Sequence, residues 1–353
     1  MRKRLIPKPL RRGIYAFVLL LVIEYLVVPQ LNGARRTLHL LDQVNFALVG
    51  LGVALEVCAL VSYAQLTRAV LPRESPRLFT LLRIDLTSLA VSHVVPAGTA
   101  GGTPIAIRLL AANGVRPADA GFALATQGIG SALVLNALLW IGLVVSIPLR
   151  GFDPLYVSAA LVGVFLLAAF GVLVALLTKG EEWAAEVLGS VARRIPFLNE
   201  QTIKDLVHRL ADRLRELGAD RHLLVRAVLW ALANWAFDMA SLWVFLAAFG
   251  HLTSPDALVV AYGLANVLAV IPISPGGLGV IEGVLIPTLA GFGAGRAVAT
   301  LGVISWRLVN FWLPIPIGGA AYLSLKVEPN SQRRRAVRLA ELAQESGRAP
   351  KSG

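Results

Sequence analysis

Along this chain apolar residues come in long unbroken runs, and polar residues collect in the gaps between them. Runs of about 20 residues, the length of helix that crosses roughly 30 Å of hydrocarbon, recur from Gly13 onward. The pattern predicts six spans: Gly13 to Val28, Phe46 to Leu66, Ala118 to Ile147, Leu155 to Leu177, Leu223 to Phe249 and Ala294 to Leu325. Two further apolar stretches are interrupted. Leu78 to Ala112 ends one limb at V-V-P-A-G-T-A-G-G-T-P and resumes in the short limb Ile105 to Ala112, with Asn113 and Gly114 as a C-cap and Pro117 opening the next helix. Asp256 to Gly291 is broken at Ile271 to Gly283, I-P-I-S-P-G-G-L-G-V-I-E-G.

No straight helix runs through either break, because proline removes a donor and glycine favours conformations outside the helix. Backbone groups freed at membrane depth survive only inside protein or beside a watery cavity. Each interrupted stretch is therefore expected to be a re-entrant hairpin. The fold class that follows is an all-α integral membrane protein, with about six transmembrane helices plus two broken hairpins.

The order span, span, broken hairpin, span occurs twice, over residues 13–149 and again over 154–325. Three crossings per unit is an odd number, so the second unit starts on the opposite side and the hairpin tips can meet near the midplane. Broken segments at matching places in two halves point to a transporter's binding site. The alternative is that glycines at the breaks only let helices pack closely. Residues 1–325 are expected to form a single membrane domain, and 326–353 a basic tail. Within 179–222 both charge signs are frequent, and Ile203, Leu206, Val207, Leu210, Leu214 and Leu217 fall on one helical face, as in an amphipathic helix lying on the cytoplasmic surface.

Composition agrees with a membrane protein. Of 353 residues 56% are hydrophobic and 15% charged, and the mean hydropathy is +0.70. The net charge of +12 sits in loops and termini, including Arg2 to Arg12 and the tail from Arg333, so the preference for positive charge on the cytoplasmic side explains it better than nucleic acid does. Both termini are expected in the cytoplasm and the protein in the plasma membrane. A cleaved signal peptide is the alternative for the first run, but its length, Glu24 and the lack of a small-x-small site favour an uncleaved span. The one cysteine, Cys58, lies in an apolar run and is expected in the core; no metal and no cofactor is expected.

The candidate site gathers at the breaks. Gly276, Gly277 and Gly279, after Pro272 and Pro275, could turn backbone N–H groups and a half-helix N-terminus toward an anionic head group. Pro96, Gly101 and Gly102 mark the first break. Glu282 and Asp238 are carboxylates inside apolar stretches, where they are costly and functional by default; they suit a cationic head group or a coupling proton. Arg108 and Arg307 are the matching phosphate partners, unless they only neutralise those acids. His93 is either titratable or simply a hydrogen-bonded core residue. Glu24 and Glu56 are expected to face inward, Gln127, Asn136, Asn234 and Asn310 to bridge helices, and the tryptophans Trp140, Trp230, Trp235, Trp243, Trp306 and Trp312 to serve packing and anchoring.

At P-I-S-P-G-G-L-G-V-I-E over Pro272 to Glu282, at P-x-x-x-x-G-G followed by Arg over Pro96 to Arg108, and at Asp238, the sequence resembles the lysylphosphatidylglycerol synthase transmembrane family of flippase-like membrane proteins. His93 stands where that family commonly has asparagine. The resemblance covers nearly the whole chain. It implies movement of lipids between leaflets, or carriage of polyprenyl-linked substrates. Taken with the reading of the breaks and of the intramembrane charges, the substrate-binding candidates are Pro96, Gly101, Gly102, Arg108, Asp238, Pro272, Pro275, Gly276, Gly277, Gly279, Glu282, Arg307 and Asn310. Members that aminoacylate phosphatidylglycerol carry an added soluble transferase domain, whereas this chain runs into a short basic tail, so lipid lysylation is not expected.

The expected partners are membrane lipids with charged head groups, with a second copy of the chain or an envelope-synthesis protein as further candidates. Two rival readings remain. One is an intramembrane enzyme acting on a lipid phosphate or glycolipid, with His93 and Glu282 as acid and base; the scattered histidines and absent H-E-x-x-H spacing speak against it. The other is an envelope-synthesis scaffold that docks through the tail and the amphipathic helix.

Overall fold

The breaks fall where the prolines and glycines place them, and the helices on either side of each break lean against a shared core. The computed structural model describes residues 44–72, 75–95, 101–150, 220–269 and 274–326, with a few isolated positions between 160 and 172. The first predicted span, most of the fourth, nearly all of the amphipathic insert, the basic tail, Glu24, Pro96 and Pro272 lie outside the described residues.

Helix α1 (Phe46–Val70) opens at Asn45, whose side-chain oxygen accepts the N–H groups of Ala47 at 3.1 Å and Leu48 at 3.3 Å. The first interrupted stretch is α2 (Leu78–Val94) and α3 (Thr103–Ala112). Pro104 sits in the first turn of α3, and Asn113 with Gly114 at φ +92° closes it, as the sequence predicts. Next come α4 (Pro117–Arg150) and α5 (Arg221–Ala248), the latter capped by Asp220 to the Leu223 N–H at 3.0 Å.

The second interrupted stretch begins with α6 (Pro255–Ala269). It passes through a 3-10 turn at Pro275–Gly277 and resumes as α7 (Val280–Leu289). A π-helical turn, Ala290–Ala294, leads to α8 (Arg296–Arg307), a second π turn at Leu308–Trp312, and α9 over residues 314–326. Pro314 and Pro316 explain the second π turn, because neither can donate to the carbonyl four residues earlier.

The chain is an all-α membrane protein, and among the described residues there is no strand. Among the described residues five segments are long and apolar enough to cross a membrane: Phe46–Val70, Pro117–Pro148, Arg221–Ala248, Pro275–Ala294 and Arg296–Lys326. The fourth, which contains the second limb of the second hairpin, is 20 residues long, and that whole segment by length alone suffices for a full crossing.

The larger core joins Leu139 of α4, Leu242, Phe245 and Leu246 of α5, Tyr262 and Leu264 of α6, Leu285 of α7 and Trp306 of α8. A second core packs Leu81 and Ile84 of α2 against Leu109 and Leu110 of α3, Ala120 and Ala123 of α4, and Leu325. Helices α1 and α5 cross closely at Gly52, whose carbonyl accepts Ser241 Oγ–H at 2.9 Å and where a Cβ would lie 2.9 Å from the Phe245 ring. Large apolar side chains such as Phe79, Ile141, Val144 and Leu323 face outward, as suits a surface wetted by lipid.

Two expectations fail here. Cys58 is exposed, not core: α1 turns Glu56 and Ala59 inward, and Cys58 falls on the opposite side of the helix. Asn136 bridges nothing, since both polar atoms of its buried side chain are without a hydrogen bond. Gln127 and Asn234 do bridge. Gln127 Nε2 donates to Thr67 Oγ1 at 2.8 Å, and Asn234 Nδ2 to the Ala59 carbonyl at 3.0 Å.

Candidate functional site

The end of α8 and the π turn after it carry Trp306, Arg307, Asn310 and Phe311 toward the interior. A π turn holds one residue more than an α turn, and such turns recur at functional sites. Trp306, Arg307 and Phe311 are buried.

Arg307 closes the second break. Its Nε donates to Glu282 Oε1 at 2.6 Å and its Nη2 to the Gly276 carbonyl at 3.2 Å, while the guanidinium lies 4.4 Å from the centre of the Phe311 ring. Glu282 Oε2 reaches back to accept the Gly279 N–H at 2.7 Å and so caps α7. The backbone can take this path because Gly276, Gly277 and Gly279 have φ of +53°, +69° and +80°, a region that side chains with a Cβ rarely enter.

The end of α2 meets the second break over Phe311. His93, at the end of α2, stacks on the Phe311 ring with centroids 4.2 Å apart. Its Nδ1 lies 2.9 Å from the Phe311 carbonyl; a carbonyl only accepts, so Nδ1 carries the hydrogen. A Cβ added to Gly276 would collide with the same ring and with His93.

Beside the clamp lies a second polar group. Asp238 Oδ1 accepts from Trp306 Nε1 at 2.8 Å and Asn310 Nδ2 at 3.1 Å, and its Oδ2 accepts the Tyr262 hydroxyl at 2.5 Å. Asn310 Nδ2 also donates to Glu56 Oε1 at 2.9 Å. Elements α1, α5, α6 and α8 thus converge on one buried network, immediately next to the Arg307–Glu282 pair.

A model of the lysylphosphatidylglycerol synthase transmembrane region matches residues 13–318 of the chain. The chain belongs to this family. Two UPF0104 membrane proteins of Methanothermobacter thermautotrophicus are similar to it. One is 26% identical over 67% of this chain and 72% of its own length, the other 26% identical over 87% and 92%. A UPF0104 membrane protein of Pyrococcus horikoshii is 30% identical over 34% of each chain.

The substrate-binding candidates do not all come together. Glu282, Arg307, Gly276 and Gly279 form one bonded unit, Pro275 begins its 3-10 turn and Gly277 is buried within it. Asp238 and Asn310 form the adjoining unit. Arg108 stays outside both: it is exposed on α3 and pairs with no acid among the described residues. Gly101 and Gly102 serve the junction of the first two limbs. The Gly102 N–H donates to Ser92 Oγ at 3.0 Å, and a Cβ there would strike the Ser88 backbone and the hydroxyls of Ser88 and Ser92.

Two of the glycine N–H groups of the second break are also not free for an anion. Gly277 donates to the Ser274 carbonyl at 3.3 Å and Gly279 to Glu282, whose carboxylate fills the position an external anion would take. Sequence reasoning foresaw Glu56 only as inward-facing and missed Tyr262 as a partner of Asp238. It also missed Asp85, buried on α2, which accepts from Thr67 Oγ1 at 2.9 Å. An acid within the apolar run L-L-R-I-D-L was the available signal.

Proposed function

We propose that the protein moves a lipid with a charged head group between the leaflets of the membrane, as a flippase-like transporter rather than an enzyme. The observation that carries this reading is the meeting of the end of α2 with the second break at His93, Phe311 and Gly276, beside a buried ion pair that crosses that break. In this reading the hairpins enter from opposite faces of the plasma membrane as halves of an inverted repeat, with both termini in the cytoplasm. The head group enters where the breaks meet and competes for Arg307 and Glu282, while the acyl chains stay in lipid. An anionic head group engages the guanidinium and a cationic one the carboxylate. Exposed Arg108, which pairs with no acid among the described residues, is suited to the first encounter with a phosphate.

The rival reading of His93 and Glu282 as acid and base draws less support. The His93 Nδ1–H is given to a carbonyl, and both oxygens of Glu282 are occupied.

The test is reconstitution of the protein into liposomes with a panel of head-group-labelled lipids, scored by a membrane-impermeant quencher. Transport predicts that quenching of at least one labelled lipid exceeds the outer-leaflet share, and that Glu282→Gln removes the excess. No excess for any lipid in the panel overturns the assignment.

A further inference from the structure

The side chains of Glu56 on α1 and Asp238 on α5 meet on one amide. Asn310 Nδ2 donates to both, at 2.9 and 3.1 Å, so the two carboxyl groups lie within two hydrogen-bond lengths of each other. Their supply of donors is unequal. Asp238 receives hydrogens from Trp306, Asn310 and Tyr262, a full complement for an anion. Among the described residues Glu56 receives only that of Asn310, and its Oε2 is buried with no hydrogen bond in a residue that is 4% exposed.

A bare carboxylate oxygen in apolar surroundings is among the costliest groups to bury. Among the described residues, no hydrogen bond reaches that oxygen. From α5, Ser241 Oγ donates to the Gly52 carbonyl, and the Asp238 carboxyl is itself an acceptor of three hydrogen bonds. From α6, Tyr262 gives its hydrogen to Asp238. From α8, Arg307 is committed to Glu282 of α7, and Trp306 to Asp238. Two anions this close in a medium of low dielectric constant repel strongly, and a hydrogen on one of them removes both the repulsion and the orphaned oxygen.

We propose that Glu56 and Asp238 form a proton-binding site, in which one proton sits on Glu56 Oε2 and is shared with Asp238. The proton is taken from water and returned to it, and only an O–H bond forms and breaks. Asn310 connects this site to the clamp, because it stands on the π turn that begins directly after Arg307. Loss of the proton sets two anions against one amide and pulls on the turn that holds Arg307 to Glu282. Resting on the lipid-transport reading above, the site then couples proton movement to head-group passage.

Infrared difference spectroscopy of the full-length protein in liposomes, titrated over pH, tests the site without relying on transport. The expected result is a carbonyl band of a protonated carboxylic acid that disappears as pH rises. The band is lost in Glu56→Gln, is shifted in its midpoint in Asp238→Asn, and is retained in Asp85→Asn, which removes another buried acid. No such band in the wild type, or a band unchanged in both Glu56→Gln and Asp238→Asn, overturns the proposal. Coupling is read separately, as a change in lipid movement when a pH gradient is imposed on the same liposomes. A titrating band without gradient dependence retains the proton site and overturns the coupling; absence of all lipid movement sinks the transport reading and leaves the infrared band to decide the site.

Discussion

Arg307 grips Glu282 across the break in the second hairpin, Nε to Oε1 at 2.6 Å, while also holding the carbonyl of Gly276 inside the break itself. One side chain therefore fastens the bent backbone to the acid that caps the helix after it. The pair is buried on both sides, so removing one partner leaves a charge stranded.

Arg307→Ala is expected to cost about 3–5 kcal/mol of stability, the usual consequence of leaving a buried charge unpaired. Thermal and denaturant unfolding in detergent measures it. Combining Arg307→Ala with Glu282→Gln is expected to cost clearly less than the two single changes added together. Additivity would mean that the ion pair contributes no coupling.

Gly276→Ala is expected to lower stability by about 1–3 kcal/mol, because a Cβ at φ +53° is strained and would also meet the Phe311 ring. Gly283→Ala is the matched control. It lies inside α7 with open space around the new methyl, so it is expected to be neutral or stabilising by about 0.5–1 kcal/mol. Equal melting temperatures for the two variants would refute the steric account.

Trp306→Phe removes one donor from buried Asp238 while keeping most of the ring volume. The expected loss is about 1–3 kcal/mol, and Tyr262→Phe, which removes another donor from the same carboxylate, is expected to fall in the same range. Denaturation midpoints of both variants check this. No loss in either would mean that Asp238 does not depend on these bonds.

Arg108→Ala is expected to leave stability within about 0.5 kcal/mol, since the side chain is exposed and pairs with no acid among the described residues. If Arg108 receives head-group phosphate, the liposome assay shows slower movement of anionic lipids at unchanged melting temperature. An unchanged rate would remove Arg108 from the site.

The sequence made the two breaks legible because proline and glycine act locally, whatever surrounds them. Glu282 and Asp238 were legible as well, since an acid inside an apolar run is rare enough to be noticed. The choice of partner was not. Arg307 and Arg108 are both arginines within apolar stretches, and only the rotation of α3 and α8 decides that the first points inward and the second outward. Periodicity gives no help with such rotation, because a helix in lipid is apolar on its outer face and its inner one. Cys58 and Glu56 illustrate this: two residues apart in one apolar run, they end on opposite sides of α1. The role of Tyr262 was hidden for a related reason, since its partner lies 24 residues away on another helix.

The wide turn at Leu308–Trp312 places one surplus residue between the bonded cluster and α9. In a regular helix each residue advances the winding by about 100°, so absorbing that surplus would swivel α9 against α8 by roughly this angle without breaking the chain's helical course. Helix α9 ends at the second core, beside the helices that form the first hairpin. A change of winding at this one place would therefore be felt at the far end of the molecule as a screw motion, with the surplus residue acting as its slack.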